Sequence, residues 1–182
     1  MTTKRSFYYL ESTATPYKRI LLGGGRVSLE HVRILRKHGH RAHIVTPKGF
    51  RTPFFNKKPQ ADSDYFLSYK DFESAFQPTK DVVIYPGRHL KNINNLPGKN
   101  KILFSQGAFV TISALTLTKQ DDNYWQHPDL KGIICVSEGN QTLLEAFQPS
   151  CNIVTVPNAV DMPIATQSTK KKSCCFSGPK PP

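Results

Sequence analysis

Short apolar runs alternate with helix-forming stretches along this 182-residue chain. Six runs have the length of a strand and are rich in Val, Ile, Leu and Phe: 17–22, 41–46, 81–85, 101–105, 132–136 and 151–156. Most of them are apolar throughout, which is typical of strands that are covered on both faces. The alternation predicts an α/β fold, a Rossmann-like parallel sheet flanked by helices.

Two of the intervening helices are predicted from their ends. The first is expected to begin at a Ser28 cap and to end at Gly39, because glycine readily takes the left-handed conformation that closes a helix. The second is expected to begin at Ser137 and to stop before Pro149. Weaker helical patterns cover 71–76 and 89–95.

The charge of the chain is strongly positive and unevenly distributed. Lys and Arg number 25 against 13 Asp and Glu, and residues 1–60 hold 13 of those cations but only two acids, Glu11 and Glu30. Such an excess favours anionic partners. Nucleic acid is disfavoured, because the sequence has none of the standard recognition motifs.

The segment 47–61 combines basic and aromatic side chains. Its predicted contacts with an anion or an anionic membrane surface are Arg51, Phe54, Phe55, Lys57 and Lys58. In that interpretation the two phenylalanines insert at the interface and the cations meet lipid headgroups. The alternative is a solvated basic surface with its aromatic side chains buried.

Targeting and metal signals are missing from the sequence. No apolar run reaches the roughly 18–20 residues that span a bilayer, and the N-terminus lacks a signal-peptide pattern. We therefore expect a cytoplasmic protein, at most peripheral on the inner face of the membrane. The four cysteines form no C-x-x-C pair, so neither a zinc site nor another metal site is predicted, and Cys135 is expected to be a buried strand residue.

A glycine-rich segment, Gly23-Gly24-Gly25, follows the first predicted strand and precedes the first helix. Glycines let the backbone approach a phosphate or a sugar closely, and a helix N-terminus adds partial positive charge. The pattern is neither a dinucleotide fingerprint, since Ser28 stands at the third glycine position, nor a P-loop. A tight turn without a ligand is the alternative.

Other candidate contacts follow later strands. Gln106 and Gly107 come directly after the strand 101–105, at the carboxyl end of the sheet where ligands bind in open α/β folds. The loop 121–125, Asp-Asp-Asn-Tyr-Trp, is polar and aromatic and is a further possible ligand contact. The six histidines receive no assignment.

Several segments occur in an order that resembles one family. They are Gly23–Gly25, Leu29-Glu30, Gly39-His40, Thr46, 81–85, 134–138 and the turn Pro157-Asn158-Ala159-Val160-Asp161. Together they resemble the N-terminal, acceptor-side domain of GT-B-fold retaining glycosyltransferases of the large "group 1 / family 4" type. In this chain Ala159 replaces the usual glycine of the last turn, and Pro179 stands where the family usually has arginine.

The resemblance implies a division of the chain and a set of contacts. Residues 1–161 would form the acceptor-side domain, 162–172 a linker, and 173–182 a remnant of the start of the donor-binding domain. Gly23, Gly24 and Gly25 would face the donor phosphates. The other implied donor or acceptor contacts, near the cleft between the domains, are Ser137, Glu138, Asn158 and Asp161.

The function implied is transfer of a hexosyl group from a nucleotide-sugar to a hydroxyl of a glycan or lipid-linked acceptor, in polysaccharide or glycoconjugate synthesis. The nucleotide-sugar is a co-substrate, no cofactor is expected, and no catalytic residue is assigned. Because the donor-binding residues would lie in the missing domain, the chain alone is expected to be inactive, and a second chain can supply that domain. The alternative is a non-catalytic basic module that binds a partner chain or an anionic membrane.

Overall fold

The computed structural model describes residues 5–11, 24–47, 63–116 and 124–158. These residues form a seven-stranded sheet in the order β3-β2-β1-β4-β5-β6-β7, in which every neighbouring pair is parallel. The strands are β1 (Ser6–Leu10), β2 (Arg41–Thr46), β3 (Phe66–Ser68), β4 (Val82–Pro86), β5 (Asn100–Ser105), β6 (Leu130–Cys135) and β7 (Asn152–Thr155). The predicted Rossmann-like α/β fold is confirmed.

Helices connect successive strands of this sheet. The α-helices are α1 (Gly24–Lys37), α2 (Tyr69–Ala75), α3 (Ala108–Thr116) and α4 (Glu138–Glu145), and the 3-10 helices are Ser63–Tyr65, Gly87–Asn95 and Tyr124–Gln126. The two weaker helical patterns are therefore confirmed, the first as α2 and the second as a 3-10 helix. By contrast, α3 and β3 were not predicted.

Five of the six predicted strands agree with the structure to within two residues, and β2 has the predicted ends. The sixth, 17–22, lies outside the described residues. The first strand of the described sheet is instead β1, which pairs with β2 on one side and with β4 on the other. The sequence analysis missed β1, although Tyr8 and Tyr9 point to opposite faces and are both buried.

The start of α1 corrects one prediction. The helix already begins at Gly24, so Ser28 is not its cap but a buried residue inside the helix. Its C-terminus is as predicted, because Gly39 has a φ of 79° and donates to the Arg36 carbonyl at 2.9 Å. His40 N–H then donates to the Leu35 carbonyl at 3.0 Å, which completes a Schellman motif.

The start of α4 confirms another prediction. Ser137 caps the helix, and its hydroxyl accepts a hydrogen bond from Asn140 N–H at 3.3 Å. Leu144 is fully buried, whereas Leu143 and Phe147 remain exposed. The helix therefore packs on the sheet through a narrow apolar face.

The core lies on both faces of the sheet. On one face Leu29 and Val32 of α1 pack over Ile44, Ile84 and Phe104. The other face carries a larger cluster: Tyr85, Leu90, Ile93, Leu103, Ala108, Tyr124, Trp125, Leu130, Ile133, Cys135 and Leu144. The predicted burial of Cys135 is confirmed.

The order of the strands fixes where a ligand is expected. From β1 the chain first winds outward to β2 and β3, and then crosses back to β4 on the other side of β1. Winding thus reverses between β1 and β4. In open α/β sheets ligands bind at such a switch point, outside the carboxyl ends of the strands.

Candidate functional site at the carboxyl edge

The carboxyl edge of the sheet brings together residues that are distant in the sequence. The Gln106 side chain, directly after β5, donates from Nε2 to the carbonyl oxygen of Gly24 at 3.0 Å. A Cβ on Gly24 would lie 2.1 Å from Gln106 Oε1. Only glycine therefore allows this approach, and two predicted site residues meet at the N-terminus of α1.

Behind Gln106, a hydrogen bond between two hydroxyl groups stabilises the same edge. Ser105 Oγ and Thr111 Oγ1 lie 2.9 Å apart and are buried, and Thr111 Oγ1 also donates to the Gly107 carbonyl at 3.2 Å. A Cβ on Gly87, the first residue after β4, would lie 2.0 Å from Thr111 Oγ1. The sequence analysis did not identify Gly87 as a site residue. The sequence pattern that could have indicated it is the Pro-Gly pair at the end of a strand.

The predicted contacts near β6 join this edge through α4. Asn140, which is held by the Ser137 cap, accepts a hydrogen bond on Oδ1 from Ala108 N–H at 3.2 Å. Ala108 directly follows Gly107. Glu138 is exposed in the first turn of α4, and Asn158 is exposed beyond β7. Within the described part of the chain, no hydrogen bond connects Glu138 or Asn158 with Gly24 or Gln106, which bond to each other.

Seven predicted contacts lie outside the described residues. They are Gly23, Asp161, Arg51, Phe54, Phe55, Lys57 and Lys58.

Glu11 is a site residue that the sequence analysis missed. It directly follows β1 at the switch point, and its N–H donates to the Val45 carbonyl at 3.1 Å. Its carbonyl accepts a hydrogen bond from Tyr69 Oη at 3.2 Å. These two backbone bonds fix Glu11 between β2 and the start of α2.

The side chain of Glu11 is half-buried at this edge. Burial raises the pKa of the Glu11 carboxyl, while a hydrogen bond from the Ser28 side chain and the charge of Arg88 act in the opposite direction. Ser28 is a buried residue of α1, and Arg88 is exposed just beyond β4. A carboxyl group therefore lies at the carboxyl end of β1, on the side of the sheet that α1 covers.

The histidines closest to this edge are packed rather than exposed. Tyr9 Oη and His31 Nδ1 lie 3.3 Å apart, and the His31 ring is 5.1 Å from the Phe104 ring. Burial lowers the pKa of His31 below its ordinary value. Burial therefore favours the neutral imidazole, and the ring packs against Tyr9 and Phe104.

The loop 121–125, a possible ligand contact in the sequence analysis, contributes two side chains to the hydrophobic core. Tyr124 and Trp125 are only 5% and 6% exposed and belong to the larger apolar cluster, so these two side chains do not line a surface site. His127 Nδ1 accepts a hydrogen bond from Asp129 N–H at 3.1 Å and closes a turn. The apolar area of Tyr124 and Trp125 is thus used for packing, and residues 121–123 of the loop lie outside the described residues.

The described residues show neither a metal site nor a membrane-spanning helix. Among residues 5–11, 24–47, 63–116 and 124–158, no three His, Cys, Asp or Glu side chains are grouped so that they can hold a metal ion. In the same residues, no helix has both the length and the apolar character needed to cross a membrane. No family model matches the chain, and neither the curated proteins nor the solved structures contain a match.

Proposed function

We propose that this chain is the acceptor-side domain of a nucleotide-sugar-dependent glycosyltransferase that transfers a hexosyl group to an acceptor hydroxyl. The observation that carries the proposal is the contact of Gly24 with Gln106. It lies at the N-terminus of a 14-residue helix, beside the switch point of a parallel sheet. This is where the resemblance places the donor phosphates.

The chemistry of this position suits a diphosphate. Backbone N–H groups in the first turn of a helix have no carbonyl partner within the helix, and the helix dipole favours an anion beside them. The first turn of α1 contains no acidic residue. A leaving nucleoside diphosphate would be stabilised here electrostatically, without a nucleophile from this domain.

A matched pair of glycine substitutions tests the proposal. Gly24→Ala forces the Gln106 side chain away, whereas Gly139→Ala, in the exposed first turn of α4, meets no atom within 4 Å. Calorimetric titration with UDP, GDP, UDP-glucose and GDP-mannose measures binding to both variants and to the unaltered chain. Because most donor contacts would lie in the second domain, we expect at least one nucleotide to bind only weakly, at roughly millimolar concentration, with about tenfold weaker binding to Gly24→Ala and no change for Gly139→Ala.

Two results would contradict the proposal. One is that none of the four nucleotides binds the unaltered chain at millimolar concentration. The other is that Gly24→Ala binds as tightly as Gly139→Ala, which would mean that the phosphates lie elsewhere.

A second candidate function, docking on an anionic surface, is favoured by the opposite edge of the sheet. Five cations are exposed at or near the strand beginnings: Arg5, Lys37, Arg41, Lys99 and Lys131. Two acids of this amino edge are engaged, because Asp81 accepts two backbone N–H bonds and Asp129 pairs with Lys99 and Lys101. The exposed charge of this edge is thus mainly positive.

Vesicle binding tests this candidate separately. The chain should co-sediment with phosphatidylglycerol vesicles at low salt and be released at high salt, since exposed charges are screened beyond about 10 Å at 0.1 M salt. Replacing Arg5, Lys37 and Arg41 together by Gln should abolish co-sedimentation. Equal binding of this variant would contradict docking through the amino edge.

A further inference from the structure

The helix α3 carries apolar side chains on its outer side. Its sequence, Ala-Phe-Val-Thr-Ile-Ser-Ala-Leu-Thr, contains no charged residue. Thr111 is buried on the inner side, whereas Phe109 and Val110 are 82% and 55% exposed. A helix that is apolar all round is normally covered on all sides, so the outer side of α3 is expected to have a partner.

The apolar surface continues onto α4. Asn140 faces α3, because its Oδ1 accepts a hydrogen bond from Ala108 N–H at 3.2 Å. Leu143 lies one helical turn further along α4, on the same side of that helix, and is 54% exposed. We refer to Phe109, Val110 and Leu143 together as the α3 patch.

Opposite charges flank the α3 patch. The 3-10 helix Gly87–Asn95, α3 and α4 follow the neighbouring strands β4, β5 and β6 and cover the same face of the sheet, so α3 lies between the other two. The 3-10 helix exposes Arg88 and Lys91. On the other side α4 exposes Glu138 and Glu145, which are seven residues apart and share one face of the helix. The surface is thus positive, apolar and negative in turn.

We propose that the α3 patch binds the same patch of a second copy of this chain, about a two-fold axis that runs parallel to α3. Rotation about such an axis places the 3-10 helix of each copy opposite α4 of the other. A surface with one cationic and one anionic flank is complementary to itself in this arrangement. The cross-pairs offset part of the repulsion between two chains that each have a net charge of +12.

The register of the charged pairs follows from the direction of the elements. Both the 3-10 helix and α4 begin at the carboxyl edge of the sheet, so Arg88 and Glu138 lie at similar depth. Lys91 lies roughly 6 Å and Glu145 roughly 10 Å further along their helices. Arg88 of each copy therefore meets Glu138 of the other, and Lys91 meets Glu145.

Sedimentation velocity over a concentration series tests the proposal. The unaltered chain should form a reversible dimer with a dissociation constant in the micromolar range, and Phe109→Ser and Leu143→Ser should each weaken it about tenfold. Because both side chains are exposed in the single chain, these variants should fold. Ile34→Ser is the matched control and should leave the dimer unchanged, since Ile34 is 51% exposed but lies on α1, which covers the other face of the sheet.

A charge exchange tests the direction of the two-fold axis. Lys91→Glu and Glu145→Lys each place like charges opposite one another in the dimer and should each weaken it about tenfold. The double variant restores opposite charges and should recover the affinity of the unaltered chain.

Three results would overturn the proposal. The first is a chain that remains monomeric at about 100 μM, which would leave the α3 patch to a different partner. The second is a dimer that Phe109→Ser weakens no more than Ile34→Ser does. The third is a double charge variant that dimerises no better than Lys91→Glu alone.

Discussion

The two edges of the sheet both contain buried or half-buried charged groups, but these groups have different partners. At the amino edge Asp81 accepts from Ser6 N–H at 3.1 Å and from Gln77 N–H at 2.9 Å. The buried Lys101 Nζ donates to the Ile93 carbonyl at 2.9 Å and reaches Asp129 at 3.5 Å. Each of these groups ties one backbone segment to another, which is a structural use of charge.

At the carboxyl edge the partners of the charged group are side chains. Glu11 meets a serine hydroxyl and the charge of an exposed arginine, and the neighbouring backbone is brought close by Gly24 and Gly87. Burial of charge alone therefore does not mark a functional site. Glu11, by contrast, is only half-buried at a strand end, and the groups that act on its carboxyl are side chains.

The largest effect should come from breaking the amino edge. Asp81→Ala leaves the buried Ser6 N–H and the part-buried Gln77 N–H without their acceptor and should lower the free energy of unfolding by about 3 kcal/mol. Asp81→Asn keeps one accepting oxygen and should cost less. Urea unfolding measures both, with the exposed Glu73→Gln as the control that should remain unchanged.

If Asp81→Ala were as stable as Glu73→Gln, the contrast between the two edges would be lost. The two hydrogen bonds that Asp81 accepts from backbone N–H groups would then contribute nothing to the free energy of unfolding.

A smaller effect is expected behind the carboxyl edge. Gly87→Ala places a Cβ against Thr111 Oγ1 and should destabilise the chain by about 2 kcal/mol through overpacking. Thr111→Ala removes that oxygen, so the double variant should be less destabilised than the sum of the single changes. Thermal unfolding measures the stability of all three variants. If the losses of stability of the two single variants simply add up in the double variant, the added Cβ does not clash with Thr111.

The smallest expected effect is on the pH dependence of the free energy of unfolding. It comes from His43, which lies in β2 between the two edges. Burial, Arg36 and Arg41 lower the pKa of His43 to about 4, and Arg36 Nη2 donates to His43 Nδ1 at 3.0 Å. Between pH 6.5 and 4 the unfolded chain binds the proton more readily than the folded one. The stabilisation present above pH 6.5 should thus be lost as the pH falls toward 4.

His43→Gln should flatten this part of the stability profile in urea unfolding at pH 7, 6, 5 and 4. An unchanged pH slope in His43→Gln would assign the acid sensitivity to other groups.

The fold was largely predictable because continuous apolar runs mark strands buried on both faces. The prediction failed for β1, whose run Phe7-Tyr8-Tyr9-Leu10 lies between a basic N-terminus and the polar segment that begins at Glu11. It also failed for α3, which contains Val110, Thr111 and Ile112, residues that favour strands by local preference. Packing, mainly against the 3-10 helix Gly87–Asn95, overrides that preference.

The candidate site was predictable only where local patterns define it. Gly24 and Gln106 follow from their places between strands and helices, although their contact spans 82 residues. Glu11 was missed because its role depends on where β1 lies. The requirement for glycine at position 87 depends on Thr111, a neighbour that no local pattern indicates.

The central claim is that the carboxyl edge binds the ligand and the amino edge supports the fold. An amide shift map of the ¹⁵N-labelled chain with UDP-glucose and with GDP-mannose tests it most directly. We predict that the shifts centre on Gly24, Gln106 and Glu11. Shifts that centre on Arg5, Arg41 and Lys99 would contradict it and would assign ligand binding to the basic amino edge.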